Sequence, residues 1–262
     1  MSDAPSSETG LPPREKPFQF SLRTMLIGVT VFALALGILV PLVRRIFREQ
    51  QRAVCTNNLK QIGLALHNYH DVYRCFPFAH VCGPDGKSWH SWRMAVLPFL
   101  ESSSTYDEYR FDEPWDGPNN RKLHSRQMYV YRCPVEAADP SVPATTTSYL
   151  AVVGPGTAWP VPGQTRIADF KDGASNSILI VEVLDSGIHW MEPRDLKLEE
   201  LELAINPKSG QGITSRHIGG ACVLLADGSV HFLPSDTAPE TLRSLFTIAD
   251  GEPDPWDDLP TR

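Results

Sequence analysis

Twenty consecutive residues without a charge, Thr24 to Val43 (TMLIGVTVFALALGILVPLV), set the first constraint on this chain. At about 1.5 Å per residue, such a helix is roughly 30 Å long, the thickness of a bilayer's hydrocarbon core. Arg23 closes one end of the run, and Arg44 and Arg45 close the other. A helix buried in a soluble protein is seldom apolar on every face over this length. A cleaved secretory signal is the stronger rival, but its apolar core of about 7–15 residues normally leads into small residues. Here Pro41, Leu42, Val43 and two arginines follow instead. The sequence therefore predicts a retained single-pass anchor over 21–43, behind a disordered tail over 1–20 that is rich in Pro, Ser and charge. Basic residues flank both ends, and Lys and Arg counts favour a cytoplasmic C-terminal side by one residue, too narrow a margin to orient the helix.

Residues 44–262 suffice for one domain. A net charge of −7 and a pI of about 5.6 give no basic footprint, so nucleic acid is excluded as a partner. Leu59, Ile62, Leu66, Tyr69 and Tyr73 recur at steps of three and four and mark one helical face. The anchor is thus expected to run on as a helix over 44–73, kinked at Pro41. Sheet and loops follow over 74–249, then an acidic tail over 250–262 that should fray. Strands are expected at Tyr129 to Cys133, Ser148 to Val153 and within Ala174 to Val183; Trp89 to Leu100 reads as strand or short helix. Asp227-Gly228 between ACVLLA and SVHFL signals a hairpin, with φ > 0 expected at both turn residues. Leu242 to Ile248 is a closing helix or strand.

Six stretches, in order, carry a family resemblance. They are CTNNLKQIGLALHNYHD (Cys55 to Asp71), HSWRMAVLPFLE (His90 to Glu101), FDEPWDGPNN (Phe111 to Asn120), RCP (Arg132 to Pro134), DGASNSILIVE (Asp172 to Glu182) and HIGGACVLLADGSVHFL (His217 to Leu233). The chain resembles the planctomycete paralogues of unknown function, domain of unknown function 1559, which pair a pilin-like N-terminal helix with a C-terminal His-x9-Asp-Gly motif. His217, Asp227 and Gly228 meet that motif. The resemblance implies an α+β fold: a long N-terminal transmembrane helix continuing into a pilin- or pseudopilin-like domain with an antiparallel sheet. It also implies that the domain lies outside the cytoplasmic membrane. The start departs from the pattern. Members open with a prepilin signal, Gly followed by Phe-Thr-Leu-Ile-Glu. Here Gln19 stands where the peptidase needs Gly, and Thr24 stands where the mature helix carries Glu. Gln cannot allow the close backbone approach that Gly does, and Thr cannot make the charge pair attributed to that Glu.

His217 and Asp227-Gly228 are expected to be structural, the pair as a turn and the histidine packed at the hairpin base, because no nucleophile motif accompanies them. Asp112, Glu113, Asp116, Asn119 and Asn120 form an oxygen-rich loop that calcium could use, although Pro114, Gly117 and Pro118 already explain a tight turn. His67, His70, His80 and Cys82 can be drawn as a zinc set, but their spacing fits no standard pattern. GPDGKS (Gly83 to Ser88) lacks the first glycine of a phosphate loop. Trp89, Trp92, Trp115, Trp159 and Trp190 are expected to supply core area rather than a ligand platform. Five cysteines (Cys55, Cys75, Cys82, Cys133, Cys222) leave one odd thiol if the others pair; Cys75 and Cys82 could close a local loop, or buried thiols could stay free.

The sequence thus predicts a bitopic inner-membrane protein of structural or interaction role, not an enzyme, without cofactor or resident metal. Its partners would be membrane lipid and envelope proteins. The alternatives are a tethered module binding a sugar, calcium or a protein, and a working pseudopilin of a secretion system. Mass spectrometry of the membrane fraction should find no cleavage between Gln19 and Phe20; a mature N-terminus at Phe20 would contradict this.

Overall fold

The computed structural model describes residues 21–100, 103–251 and 255–256. The tail over 1–20, with Gln19 and Phe20, lies outside the described residues. The chain divides into two compact units, Met1–Phe47 and Arg48–Arg262.

Helix α1 covers Leu22–Tyr73 and contributes to both units. Ser21 starts it: its carbonyl accepts the Met25 amide at 3.0 Å and its hydroxyl accepts the Thr24 amide at 3.2 Å, an N-cap arrangement. Pro41 lies inside the helix. The first unit's helical residues are exposed on every face, and the most apolar 18-residue stretch has a mean hydropathy of 2.7. One helix among the described residues is therefore long and apolar enough to span a membrane. In the second unit the same helix becomes one-sided. Cys55, Leu59, Ile62 and Leu66 are fully buried, while Lys60, Gln61 and Leu64 are exposed. Arg74, at φ 65°, ends the helix, and its amide bonds back to the His70 carbonyl.

The rest of the second unit is β1 (His80–Cys82), β2 (Ser88–Ser91), α2 (Trp92–Ala95), α3 (Ser103–Glu108), α4 (Pro134–Ala137), β3 (Tyr149–Val153), β4 (Ile178–Glu182), β5 (Leu196–Lys197), β6 (Gly220–Leu225), β7 (Val230–Pro234) and α5 (Pro239–Phe246). Strands β1 and β2 form a small antiparallel ribbon. The main sheet runs β5-β3-β4-β6-β7, antiparallel except for the parallel β3–β5 pair at its edge. The fold is thus α+β with a long N-terminal apolar helix.

Alternation along the strands splits the core into two layers. Tyr149, Ala151, Ile180, Cys222 and Leu224 join the α1 stripe on one face. Leu150, Val152, Val181, Val223 and Leu225 join Leu242, Leu245 and Phe246 of α5 on the other. A register shift between Ile178 and Ile180 lets Leu179 and Ile180 both reach the α1 side. Gly63 permits the helix to sit close, since a Cβ there would come within 2.8 Å of Leu224 Cδ1.

Several expectations change. Tyr129 to Cys133 is not a strand: Tyr129–Tyr131 makes a 3-10 turn, because Pro134 starts α4 directly after it and Tyr131 and Cys133 bond the Ser148 backbone and hydroxyl rather than a neighbouring strand. The edge strand β5 carries too short an apolar run to be seen in the sequence. Trp89 to Leu100 holds parts of both options, the end of β2 and the whole of α2. Of the tail, only residues 250, 251, 255 and 256 are described: the Asp250 and Gly251 amides donate to the Asp172 carboxylate, and Trp256 Nε1 donates to the Ser175 carbonyl at 3.0 Å.

One charged pair is buried in the helix-side layer. The Arg93 guanidinium meets Asp195 at 2.6 Å and also donates to the Tyr149 carbonyl, while Asp195 accepts the Ala151 amide and Trp92 Nε1. Removing one partner of such a pair strands a charge and costs about 3–5 kcal/mol. Arg93→Met should therefore lower unfolding free energy by that order in chemical denaturation. The double variant Arg93→Met/Asp195→Leu should recover part of the loss.

Candidate functional site

The register places three polar side chains side by side on the α1 face of the sheet. Tyr149 of β3 pairs with Glu182 of β4, and the β4–β6 register brings Cys222 of β6 next to Glu182, whose Oε2 accepts the Cys222 amide at 3.2 Å. Above this row α1 delivers Cys55, whose Sγ lies 3.0 Å from the Tyr149 hydroxyl. Cys133 enters from the residue preceding α4, anchored by its amide donating to Ser148 Oγ at 2.7 Å. His217 enters from the turn ahead of β6, with its own amide held by Ser215 Oγ. Its Nε2 lies 3.6 Å from Cys133 Sγ and 3.4 Å from Glu182 Oε1. One ligand atom each from Cys55, Cys133, Glu182 and His217 lies within 4.8 Å of all the others, and all four residues are buried. Thr56 Oγ1 approaches Cys222 Sγ at 3.9 Å.

Charge is tightly constrained here. Burial first, then the Cys133 and Cys222 thiols, raise the Glu182 carboxyl well above the usual carboxylate range. A hydrogen bond from Cys55, with help from His217, holds the Cys133 thiol down to about 4 despite its burial. Cys222 is lowered to about 7, chiefly by its hydrogen bond with Cys55. Cys55 is pushed far upward by those same hydrogen bonds, to Cys133 first. Several acidic groups thus share one buried space, with the Cys133 thiol facing the imidazole.

The sequence-based candidates fare differently. His217 is buried just ahead of β6, at the open end of the hairpin, and its ring meets a thiol and a carboxyl. Asp227 sits beyond the far end of β6, with its Oδ1 accepting the Ser229 amide at 2.8 Å, so the two do not form a pair. The turn itself is corrected: only Gly228 has positive φ (86°), and the Gly228 amide bonds the Leu225 carbonyl while the Leu225 amide bonds Ser229. This is a three-residue loop with a left-handed glycine, not a two-residue one.

The oxygen-rich loop is closed on itself. Glu113 Oε1 accepts the Asn119 and Asn120 amides at 2.8 and 2.6 Å, and its Oε2 accepts Asn119 Nδ2. Lys122 Nζ sits 3.0 Å from Asn119 Oδ1, where calcium would be repelled. Asp112 and Asp116 are not among the groups that converge for metal binding in the described residues. Neither are His67, His70, His80 and Cys82. His67 packs edge-on to Phe76, His70 Nε2 meets the Ile167 amide, and His80 and Cys82 belong to β1. Trp92, Trp159 and Trp190 are core residues, as expected. All five cysteines are free thiols, so Cys75 and Cys82 close no loop.

A family model described as a protein of unknown function (DUF1559) matches residues 47–158 and 151–240, well over half of the chain. The chain belongs to this family. Comparison with curated proteins and with solved structures finds no match. All the cluster residues fall inside the matched region. Four of the six stretches behind the family resemblance supply them: the helix block gives Cys55, RCP gives Cys133, ILIVE ends in Glu182, and the last block gives His217 and Cys222. Sequence reasoning missed the constellation because its members are 35 or more residues apart except for His217 and Cys222. One signal was available: Cys55 precedes Leu59, Ile62 and Leu66 at helical spacing, on the same stripe. Another was Glu182, an acid closing an apolar strand.

Gly228 also lies over His67, whose Nε2 would be 3.4 Å from an added Cβ. Gly228→Ala should destabilise the domain by about 1–2 kcal/mol through its left-handed backbone, as read by urea unfolding, with the reactivity of the buried thiols unchanged in the native state.

Proposed function

We propose that this chain is a membrane-anchored, pilin-like envelope protein whose role is structural or interactive rather than enzymatic, with its domain outside the cytoplasm. The observation that carries the reading is the change of character along α1. Its first part is apolar and exposed on all faces, and its last part lays a buried stripe on an antiparallel sheet. A helix of that kind suits a lipid partner at one end and a domain core at the other. The non-enzymatic role is supported by the cluster's geometry. In a nucleophile–imidazole–acid relay the two partners take opposite ring nitrogens, whereas Cys133 and Glu182 both approach Nε2 of His217. Service as a secretion pseudopilin would need processing at Gln19, which its side chain opposes.

A second reading, a tethered binding module, is favoured by one feature. A cleft of about 450 Å³ is lined largely by apolar and aromatic groups, among them Tyr69, Phe78, Trp89 and Phe111. Such walls suit the flat face of a sugar or an apolar protein side chain better than calcium.

Alkaline carbonate washing of membranes should leave the protein in the pellet. Exposed Cys82 gives a native reporter of sidedness. After mild reduction, a membrane-impermeant maleimide should label it on intact spheroplasts. Release by carbonate, or labelling only after lysis, would contradict the anchor or the orientation respectively.

A further inference from the structure

We propose that Cys55, Cys133, His217 and Glu182 form a closed, tetrahedral site for one zinc-class divalent ion, which ties α1 to the sheet. This goes beyond the envelope role above and does not depend on it.

The distances carry the argument. Zinc holds sulfur at about 2.3 Å and imidazole nitrogen or carboxylate oxygen at about 2.0–2.2 Å, so a tetrahedron has sulfur–nitrogen edges of about 3.6 Å and nitrogen–oxygen edges of about 3.4 Å. The Cys133 Sγ to His217 Nε2 separation is 3.6 Å, and His217 Nε2 to Glu182 Oε1 is 3.4 Å. Both edges run from the same ring nitrogen, and Cys55 Sγ completes a set whose atoms all lie within 4.8 Å. A shared ion accounts for a thiol and a carboxyl converging on a single nitrogen. Ordinary hydrogen bonding does not, because one nitrogen cannot offer both a well-aligned bond.

The donor types select the metal. Two thiolates with one imidazole and one carboxylate suit zinc, and they exclude magnesium and calcium, which take oxygen shells. Four buried protein donors would fill a tetrahedron, the condition of a structural rather than a catalytic site. The surroundings supply outer support. The Tyr149 hydroxyl reaches Cys55 Sγ, and the Cys222 amide fixes the second carboxylate oxygen. Cys222 is thus placed as a supporting residue, not a ligand.

The consequence is mechanical. One ligand sits on α1, one before α4, one on β4 and one ahead of β6. A single ion would join four elements that are separated in sequence and hold the end of the membrane helix in register on its sheet.

The test uses the full-length chain purified in detergent without added metal or chelator. Elemental analysis should find about one zinc per chain. Cobalt added to the chelator-stripped protein should give thiolate-to-metal charge-transfer and tetrahedral visible absorption. Cys133→Ser and His217→Ala should each lower bound metal at least tenfold, while Cys82→Ser, on an exposed thiol away from the cluster, should keep it. For ligand variants that fail to fold, the wild-type chain provides a second arm. Chelation should lower its melting midpoint and expose the Cys55, Cys133 and Cys222 thiols to a thiol reagent, and zinc should reverse both effects. Absence of zinc together with no cobalt charge-transfer band would overturn the proposal. So would a disulfide among Cys55, Cys133 and Cys222 in the native protein. Loss of metal in Cys222→Ser with retention in Glu182→Gln would overturn Glu182 as the fourth ligand.

Discussion

Leu59, Ile62 and Leu66 leave water by lying on Ile180, Leu224 and their neighbours, and each fully buried side chain of this size contributes about 1.5–3 kcal/mol relative to exposure. That seating of α1 on the sheet is the contact on which the second unit depends. It makes β3, β4 and β6 buried on both faces, with α5 covering the other side. It also sets the height of Cys55 above the row of Tyr149, Glu182 and Cys222. Gly63 is part of the same fit, because a larger residue would push the helix away from Leu224. A shift of α1 by one turn would move Cys55 by about 5.4 Å and dissolve the cluster.

The elements that were legible in the sequence are those with a local cause. A charge-free run of twenty residues and a stripe at steps of three and four are enough to place α1. Asp227-Gly228 between apolar runs places the β6–β7 hairpin, although the loop length needed the backbone to decide it. What escaped has a non-local cause. Tyr129 to Cys133 has the aromatic content of a strand, but its partners are the Ser148 backbone and hydroxyl, so tertiary bonding overrides propensity. The edge strand β5 exists because β3 offers it a parallel partner, not because Leu196-Lys197 is strand-like.

The candidate site shows the same division. Histidines close in sequence, His67, His70 and His80, attracted a metal reading, yet their rings pack against Phe76, meet the Ile167 amide or lie on a ribbon strand. The residues that do converge come from a helix, a loop and two strand neighbourhoods, and only the sheet register joins them. His217 was singled out through a motif with Asp227, but β6 carries the two to opposite ends. The histidine's chemistry lies with Cys133 and Glu182, and the aspartate's lies in its turn.

Two buried polar assemblies share Tyr149, and their contrast bears on what the second one is for. Arg93 and Asp195 are complementary: one cation, one anion, and backbone or indole groups that fill their remaining hydrogen bonds. Their burial is costly but self-consistent. Among the described residues, Glu182 pairs with no arginine or lysine, only with His217. The thiols of Cys55, Cys133 and Cys222, the Glu182 carboxyl and the Tyr149 phenol share this space with one imidazole; burial is the main cause of the raised Glu182 carboxyl, and the neighbouring thiols add to it. A core built only for stability would place apolar residues there at lower cost, since unpaired polar burial costs more than a packed hydrocarbon. The arrangement would become favourable with the proposed divalent cation at its centre. With such an ion bound, the Cys55 and Cys133 thiols and the Glu182 carboxyl would release their protons to solvent and hold it as anions, and the binding energy would add to the seating of α1 on the sheet.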